Sequence, residues 1–288
     1  MIKLSIIILS YNTKNLLLKC VQSVVAKYSD QIKKNELELI VVDNASVDGS
    51  VQAIEKVKEI KLIENKENYG FSKGNNIGAG KASGEYILFL NSDTKVEDQG
   101  LLKMIDFLDN NKNAGILGGS LLNLDGSKQS SCGNFYNLFN LTIALMAGER
   151  LGLIRKRPAK IDKVDWVSGA SMMVRRNLFE KLRGFDEKLF MYMEDMELCF
   201  RAKKLGYQTF FYPEVKIIHQ ELGSSNRTFA IVNIYKGILY FYKKHKIWQY
   251  PLVKIMLLTK AIAAILIGFI INNNYLKKTY FGALKFAI

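Results

Sequence analysis

The sequence predicts an α/β fold with a mostly parallel central sheet, on three observations. Apolar runs of strand length alternate with amphipathic stretches through the first half, the pattern of βαβ units. The runs are continuous rather than alternating, as strands covered on both faces are. They also stop abruptly in polar residues: "KLSIIIL" (3–9) at Ser10, Tyr11 and Asn12, "LELIVV" (37–42) at Asp43 and Asn44, and "EYILFL" at Asn91, Ser92 and Asp93. The carboxyl ends of parallel strands form the ligand edge of such a sheet, so these polar residues make one candidate site.

The remaining elements follow in order. "KNLLLKCVQSVVAKY" has helical periodicity, and "VDGSVQAIEKVKE" reads as a helix with an acidic first turn, capped by Asp48. "IKLIEN" (60–65) is a strand, and "NYGFSKGNNIGAGKASG" an irregular Gly/Asn segment. "VDWVSGASMMVRR" (164–176) reads as a strand carrying an SGA turn, where Trp166 serves either the core or a pocket. "GFDEKLFMYMEDMELCFRAKKLGY" (184–207) starts as a loop and turns helical near Glu194, with Gly206 as its stop. "QTFFYPEVKIIHQ" adds a strand with His219 near its end.

Composition narrows the partners. The net charge is +14, and none of the acids follows Glu221. The last 67 residues hold ten basic side chains: Arg227, Lys236, Lys243, Lys244, Lys246, Lys254, Lys260, Lys277, Lys278 and Lys285. They sit beside the most apolar stretch, which points to an anionic membrane surface. Nucleic-acid binding is not expected, since none of its recognition motifs occurs. Cys20, Cys132 and Cys199 match no zinc spacing and no disulfide framework, which fits a reducing, cytoplasmic compartment. "MIKLSIIILSYN" reads as a first strand rather than a leader peptide. "PLVKIMLLTKAIAAILIGFII" (251–271) is long enough to span a bilayer, but lysines flank it on both sides. In "NYLKKTYFGALKFAI", Leu276, Tyr280, Ala283, Leu284 and Ala287 share one helical face, with Lys277, Lys278 and Lys285 on another. Both segments are expected to lie in the membrane interface rather than to cross it. His245, among lysines, is expected to be solvated.

Two glycine-rich readings fail. A phosphate-binding P-loop ending at Gly80-Lys81 would need Gly at 75 and Ser or Thr at 82, where the chain has Asn75 and Ala82. A dinucleotide fingerprint would put glycines after the first strand, and "SYNTKN" has none. What remains is the set of strand ends. A carboxylate such as Asp93 at a strand terminus can hold a divalent ion that neutralises a nucleotide diphosphate, although helix capping is the commoner use of any single Asp.

"SIIILSYN", "VVDNASVDGS", "ENYGFSKGNNIGAGKASGEYILFLNSD" and "GFDEKLFMYMEDMELCFRAKKLGY" together resemble the family-two glycosyltransferases, and within them the bacterial rhamnosyltransferase-like group. The likeness runs over about residues 3–225, in order. It implies a GT-A nucleotide-sugar domain over 1–225; the basic, apolar remainder at 226–288 is, from its composition, the expected C-terminal membrane-association region. It implies inverting transfer from a nucleoside diphosphate sugar, with dTDP-rhamnose the first guess and a UDP-hexose next, to a lipid-linked or glycan acceptor. The setting would be the cytoplasmic face of the cell membrane.

Residue by residue, the resemblance implies that Ser10, Tyr11 and Asn12 line the nucleoside site, with Tyr11 against the base. Asp43 would accept from the pyrimidine N3–H. Asn68, Gly70, Phe71 and Asn75 would lie over the nucleotide, with Lys73 near the diphosphate and Ser92 beside it. "NSD" stands where the family has Asp-x-Asp, so Asn91 replaces the first acid and Asp93 is the main acidic ligand for Mg²⁺ or Mn²⁺. His219, followed by Gly and Ser in "HQELGSS", would be a second metal or diphosphate contact. Asp195 would be the base that deprotonates the acceptor hydroxyl, with Glu194 beside it contacting acceptor or metal. Without the resemblance, acids in a first helical turn are ordinary dipole partners. Trp166, Ser168, Gly169 and Ala170 would line the acceptor pocket. A sugar nucleotidyltransferase, or a non-catalytic membrane scaffold of the same fold, are the alternatives.

Overall fold

The structure is a computed structural model that describes residues 2–147, 154–220 and 226–288. The chain starts with β1 (Leu4–Ser10), α1 (Lys14–Lys33), β2 (Leu37–Asp43), α2 (Ser50–Ile54), β3 (Ile60–Glu64), α3 (Gly70–Ala79) and β4 (Tyr86–Asn91). There follow β5 (Thr94–Val96), α4 (Gly100–Asn110), β6 (Ala114–Leu122), β7 (Cys132–Gly133), α5 (Leu138–Ala147), β8 (Arg155–Lys156), β9 (Asp162–Val164), β10 (Trp166–Val167) and β11 (Ser171–Arg175). The remainder is α6 (Arg176–Lys181), α7 (Glu194–Lys204), β12 (Gln208–His219), α8 (Arg227–His245), α9 (Tyr250–Ile270) and α10 (Asn274–Ala287).

One sheet orders its strands β3-β2-β1-β4-β11-β6-β12-β5, with β9 paired on β12. β3, β2, β1 and β4 are mutually parallel; β6 and β12 share that direction, because β11 is antiparallel to both β4 and β6. The parallel expectation thus holds for these six strands, with β11 as a reversed strand in the middle. Pairing of Ser10 with Asp43 and of Leu9 with Asn91 aligns three carboxyl ends along one edge. A smaller sheet, β10-β7-β8, stands beside that edge.

The continuous apolar runs have a simple cause. Alternate residues of β1 go to opposite faces: Ile6 and Ile8 pack with α1 and α4, while Ile7 packs in a second cluster with α3, α7 and the C-terminal helices. Each cluster buries large side chains, so both faces of the sheet are covered. The C-terminal helices take part in the second cluster through Tyr235, Ile238, Phe241, Val253, Leu257 and Ala283.

Two elements differ from the sequence expectation. The helix expected over 47–59 is only Ser50–Ile54, with no acid in its first turn. Asp48 stands ahead of it, accepting from Ser50 N at 3.0 Å and from Lys14 N at 2.8 Å, so it serves the starts of both α2 and α1. The Gly/Asn segment, expected to be irregular, is the helix α3. Gly74 and Gly78 face the sheet, where an added Cβ would lie 2.5 Å from Leu9 Cδ1 and 2.6 Å from Ile7 Cγ2. Packing this close overrides the poor helix propensity of glycine.

Candidate active site

Two adjoining cavities open at the carboxyl edge of the sheet. The smaller, about 300 Å³, is lined by Ser10, Tyr11, Asn44, Asn68, Gly70 and Ser92 among others. The larger, about 580 Å³, brings together Asp93, His219, Glu194, Asp195, Trp166 and Gly169. Phe71, Asn91 and Met191 border both. Residues 221–225, which include the Gly and Ser after His219, lie outside the described residues.

In the smaller cavity the floor is a hydroxyl chain. Ser10 Oγ lies 3.0 Å from Thr13 Oγ1, which lies 2.9 Å from Ser92 Oγ. Tyr11 is 43% exposed, so its ring is a free platform at the rim. Asn12 adopts φ 53° and clasps the loop after β2, donating its N–H to Ser46 Oγ and accepting from Val47 N, each at 2.8 Å. Asp43, which like Asn12 is not among the residues lining the cavity, is buried beside its rim; Oδ2 accepts from Ser46 N at 2.7 Å, while Oδ1 has no hydrogen-bond partner. A buried acceptor left over in this way is suited to an imide N–H. Asn44 ties the edge to the start of α3, donating to Asn68 Oδ1 at 3.2 Å and to the Gly70 carbonyl at 3.1 Å. Gly70 needs its positive φ of 75°, and Asn68 Oδ1 accepts from its N–H at 3.0 Å.

Lys73 and Asn75 stand apart from both cavities. The Lys73 ammonium lies 3.7 Å from the centre of the Tyr69 ring, a cation–π contact. Asn75 is buried in α3 and donates to the Phe71 carbonyl at 3.0 Å. The helical path of α3 is the reason: it turns every fourth residue to the sheet, and neither side chain comes round to the cleft.

In the larger cavity, Asp93 Oδ1 is buried without a hydrogen-bond partner, and His219 Nε2 stands 3.4 Å from it. β5 and β12 bring the two together, pairing His219 with Thr94. His219 Nδ1 is 2.8 Å from Gln129 Oε1, which orients the ring. Among the described residues no group of three or more His, Cys, Asp and Glu side chains could hold a metal ion. Asp93 and His219 offer two donors, and a diphosphate can supply others, so the pair fits a divalent cation.

Asp195 is the second residue of α7, which follows Tyr192 and Met193, both in the left-handed region at φ 70° and 72°. Two successive non-glycine residues there mark a backbone held against its preference. Asp195 Oδ2 accepts from Gly169 N at 3.1 Å and Oδ1 from Met196 N at 2.7 Å. Burial pushes its carboxyl up, against the pull of those N–H groups and the Arg155 charge. Glu194 is pushed well above its usual range, by burial first and by the Asp195 charge second, and its Oε2 has no partner. Of the pair, Glu194 is thus the more readily protonated, and Asp195, held by two N–H groups, the more readily ionised. Trp166 is both core and wall: it is 5% exposed, lines the cavity, and donates from Nε1 to the Asn134 carbonyl at 3.0 Å. Ser168, Gly169 and Ala170 form the turn beside it.

Sequence reasoning missed several of these groups. Gln129 is 90 residues from His219, and nothing local marks it. Thr13 sits just past a recognised strand end. Arg155 and Arg227 bring positive charge to the larger cavity, and Ala230, Ile231 and Ile234 of α8 give it an apolar wall. His245 is a correction: its side chain is 6% exposed and bonds Glu197 Oε1 at 2.9 Å, because α8 carries it onto α7.

The profile of the family described as glycosyl transferase family 2 matches residues 5–183. Over 217 residues the chain is 26% identical to the N-acetylglucosaminyl-diphospho-decaprenol L-rhamnosyltransferase of Mycobacterium tuberculosis, covering 66% of this chain and 69% of that protein. It is 32% identical over 162 residues to the rhamnosyltransferase WbbL of Escherichia coli, covering 52% of this chain and 61% of the relative. Among solved structures it is similar to GalNAc-T7 with UDP, GalNAc and Mn²⁺, at a TM-score of 0.61 and 16% identity, covering 85% of this chain and 49% of that one. It is also similar to the mannosyltransferase PcManGT of Pyrobaculum calidifontis, solved with GDP-Man and Mn²⁺, at 0.59 and 16% over 98% and 85% of the two chains. These structural likenesses show a shared GT-A fold. The match over residues 5–183, and the convergence of its strand ends on one cleft, show that this chain belongs to glycosyl transferase family 2.

Proposed function

We propose that this glycosyltransferase moves a sugar from a nucleoside diphosphate donor, dTDP-rhamnose first among candidates, to a lipid-linked acceptor with inversion at the anomeric carbon. One observation carries the reading: a candidate base, Asp195, and a candidate cation pair, Asp93 and His219, line a single cavity that opens beside a nucleoside-sized one. The names of the rhamnosyltransferase relatives support the donor and the lipid-linked acceptor.

The nucleoside occupies the smaller cavity, its base against Tyr11 and its imide near Asp43. The diphosphate then passes Asn91 and Phe71 into the larger one. Asp93 and His219 would hold a Mg²⁺ or Mn²⁺ ion, which when bound neutralises the charge of the departing diphosphate. Asp195, fixed by the N–H groups of Gly169 and Met196, takes the proton of the acceptor hydroxyl. The new bond forms from that oxygen to the anomeric carbon as the carbon–phosphate-oxygen bond breaks, and the electron pair leaves with the diphosphate. Attack from the face opposite the leaving group inverts the centre, and no covalent sugar–enzyme species is required. Glu194, the more readily protonated of the pair, brings no second negative charge against the first while it holds its proton.

The chain works at an anionic membrane surface. α9 buries Val253, Leu257, Ala261 and Gly268 on the protein, and turns Leu252, Ile255, Ile262, Leu266 and Phe269 outward. A helix occupied on one face and apolar on the other suits a position in the interface. The exposed residues recur at helical spacing among the basic side chains of the C-terminal region.

The test is nucleoside diphosphate release from dTDP-, UDP- and GDP-sugars, with bacterial membrane lipid as acceptor and Mg²⁺ or Mn²⁺ present. Metal-dependent release from one donor, lost in Asp195→Asn, is expected. Release of pyrophosphate from a nucleoside triphosphate and a sugar phosphate would overturn the reading in favour of a nucleotidyltransferase.

A further inference from the structure

We propose that the exposed face of α5, formed by Phe139, Thr142 and Met146, is a second membrane contact that sets the acceptor wall of the cleft against the lipid surface. This rests on the membrane-seated reading of α9 given above. The sequence of α5, "LFNLTIALMA", contains no charged residue. Leu141 and Asn140 face inward at 1% and 6% exposure, whereas Phe139 and Met146 are 71% and 82% exposed. Positions 139, 142 and 146 are three and four residues apart, so they form one stripe. Thr142 Oγ1 donates to the Leu138 carbonyl at 2.7 Å, so the polar member of the stripe needs no water. An uncharged helix that leaves a stripe with Phe139 and Met146 uncovered is unsuited to bulk water.

The occupant is a lipid surface rather than a second copy of this chain. α5 packs against α9, whose outward stripe is also apolar. The surrounding segment from 222 to 288 carries ten basic side chains and no acid. An anionic bilayer complements that charge, whereas a second copy would bring the same charge to the contact. Trp248, 96% exposed at the entry to α9, is placed as an interfacial aromatic would be.

The contact bears on the cleft because of what flanks α5. Tyr136 precedes it and Arg155 follows it, and both line the larger cavity. Lys246 Nζ donates to the Tyr136 carbonyl at 2.6 Å, which joins the approach to α5 to the approach to α9. With both helices seated, this wall meets the lipid surface, and a lipid-linked acceptor reaches Asp195 by sliding along the membrane.

The native thiols Cys20, Cys132 and Cys199 are buried, so an introduced surface thiol can be labelled selectively with the environment-sensitive fluorophore NBD. Labels would be placed through Phe139→Cys and Met146→Cys on α5, and Leu266→Cys on α9, in the full chain. Vesicles of phosphatidylglycerol and phosphatidylcholine should blue-shift and brighten all three. A response at 266 alone would overturn the α5 contact and leave the α9 reading standing. No response at any position, from protein that still hydrolyses its donor, would overturn both. A response without lipid, accompanied by a dimer mass in light scattering, would overturn the proposal in favour of a contact between copies. In the double variant Phe139→Ser/Met146→Ser, vesicle affinity should fall about tenfold or more, with donor hydrolysis in solution unchanged. Unaltered affinity would overturn the proposal.

Discussion

His219 Nε2 lies 3.4 Å from Asp93 Oδ1, and the other ring nitrogen lies 2.8 Å from Gln129 Oε1. The Gln129 amide nitrogen is committed to Asn123 Oδ1 at 2.7 Å and to the His219 carbonyl at 2.8 Å. Its oxygen can therefore only accept, and Nδ1–H is the donor. In the neutral ring, Nε2 is left with a lone pair turned toward a carboxylate oxygen, an arrangement that a cation between them relieves.

The first prediction follows from that geometry. Asp93→Asn and His219→Ala should each weaken Mn²⁺ binding more than tenfold, measured by calorimetry with the nucleoside diphosphate present. Gln129→Leu touches no ion, yet should weaken it about tenfold by releasing the ring. Unchanged affinity in Gln129→Leu would refute the orienting role.

The second prediction concerns the acidic pair. Because burial raises the Asp195 carboxyl, kcat/KM should rise with pH through a limb above the ordinary aspartate value of about 3.9. Arg155 opposes that rise, so Arg155→Gln should move the limb to higher pH. Asp195→Asn should lower kcat about 100- to 10,000-fold. Stability should move the other way. Glu194 has a folded-state pKa above its unfolded one, so the fold loses stability as pH climbs from the unfolded value through the raised one. Glu194→Gln should therefore raise Tm at neutral pH and flatten its decline with pH, as seen by calorimetry.

Much of this site was legible because strand ends announce themselves. Ser10, Asp43 and Asn91 each terminate an apolar run, and parallel pairing makes their alignment almost obligatory. Asp195 was legible only through the likeness of "MEDMEL" to a family motif, since an acid at a helix start has a commoner use. Gln129 was illegible, because its role depends on β12 returning beside the chain 90 residues later. His245 was misread for the same reason, as its lysine neighbours say nothing of the carboxylate that α7 presents. Lys73 and Asn75 lie outside the cavity linings because α3 is helical, and the glycine spacing that makes it helical acts only once β1 is there to pack on.

That spacing supplies the third prediction. A Cβ at Gly74 would lie 2.5 Å from Leu9 Cδ1, and one at Gly78 2.6 Å from Ile7 Cγ2, both within the closed face of the sheet. Alanine is the better helix former, so propensity alone predicts a gain, whereas overpacking predicts a loss of about 1–3 kcal/mol at each site. Packing should win, with Gly78→Ala the worse, since Ile7 is fully buried. Urea unfolding decides between the two signs. Gly80→Ala, where the nearest atoms are backbone carbonyls at 3.5 Å, is the control expected to be near neutral.

The fourth prediction joins the candidate base to the C-terminal region through Glu197, which sits two residues after Asp195 on α7. Its carboxylate is fully buried and accepts from Arg201 Nε at 2.7 Å, Lys244 Nζ at 2.7 Å and His245 Nε2 at 2.9 Å. Burial alone pushes the carboxyl up, but His245, Arg201 and Lys244 more than offset it and hold it below the usual range. Its contribution is therefore present above the unfolded value of about 4.3 and lost as pH falls through the depressed one. Glu197→Gln leaves the Arg201 and Lys244 charges and the His245 ring facing an uncharged amide, and should cost about 3–5 kcal/mol. The distinguishing sign is the pH dependence. Wild-type stability should fall steeply below about pH 4.3, while the variant, having no carboxylate there to protonate, should lose that part of the slope. A variant as acid-labile as wild type would place the acid sensitivity elsewhere, and would leave α7 and α8 joined by packing alone.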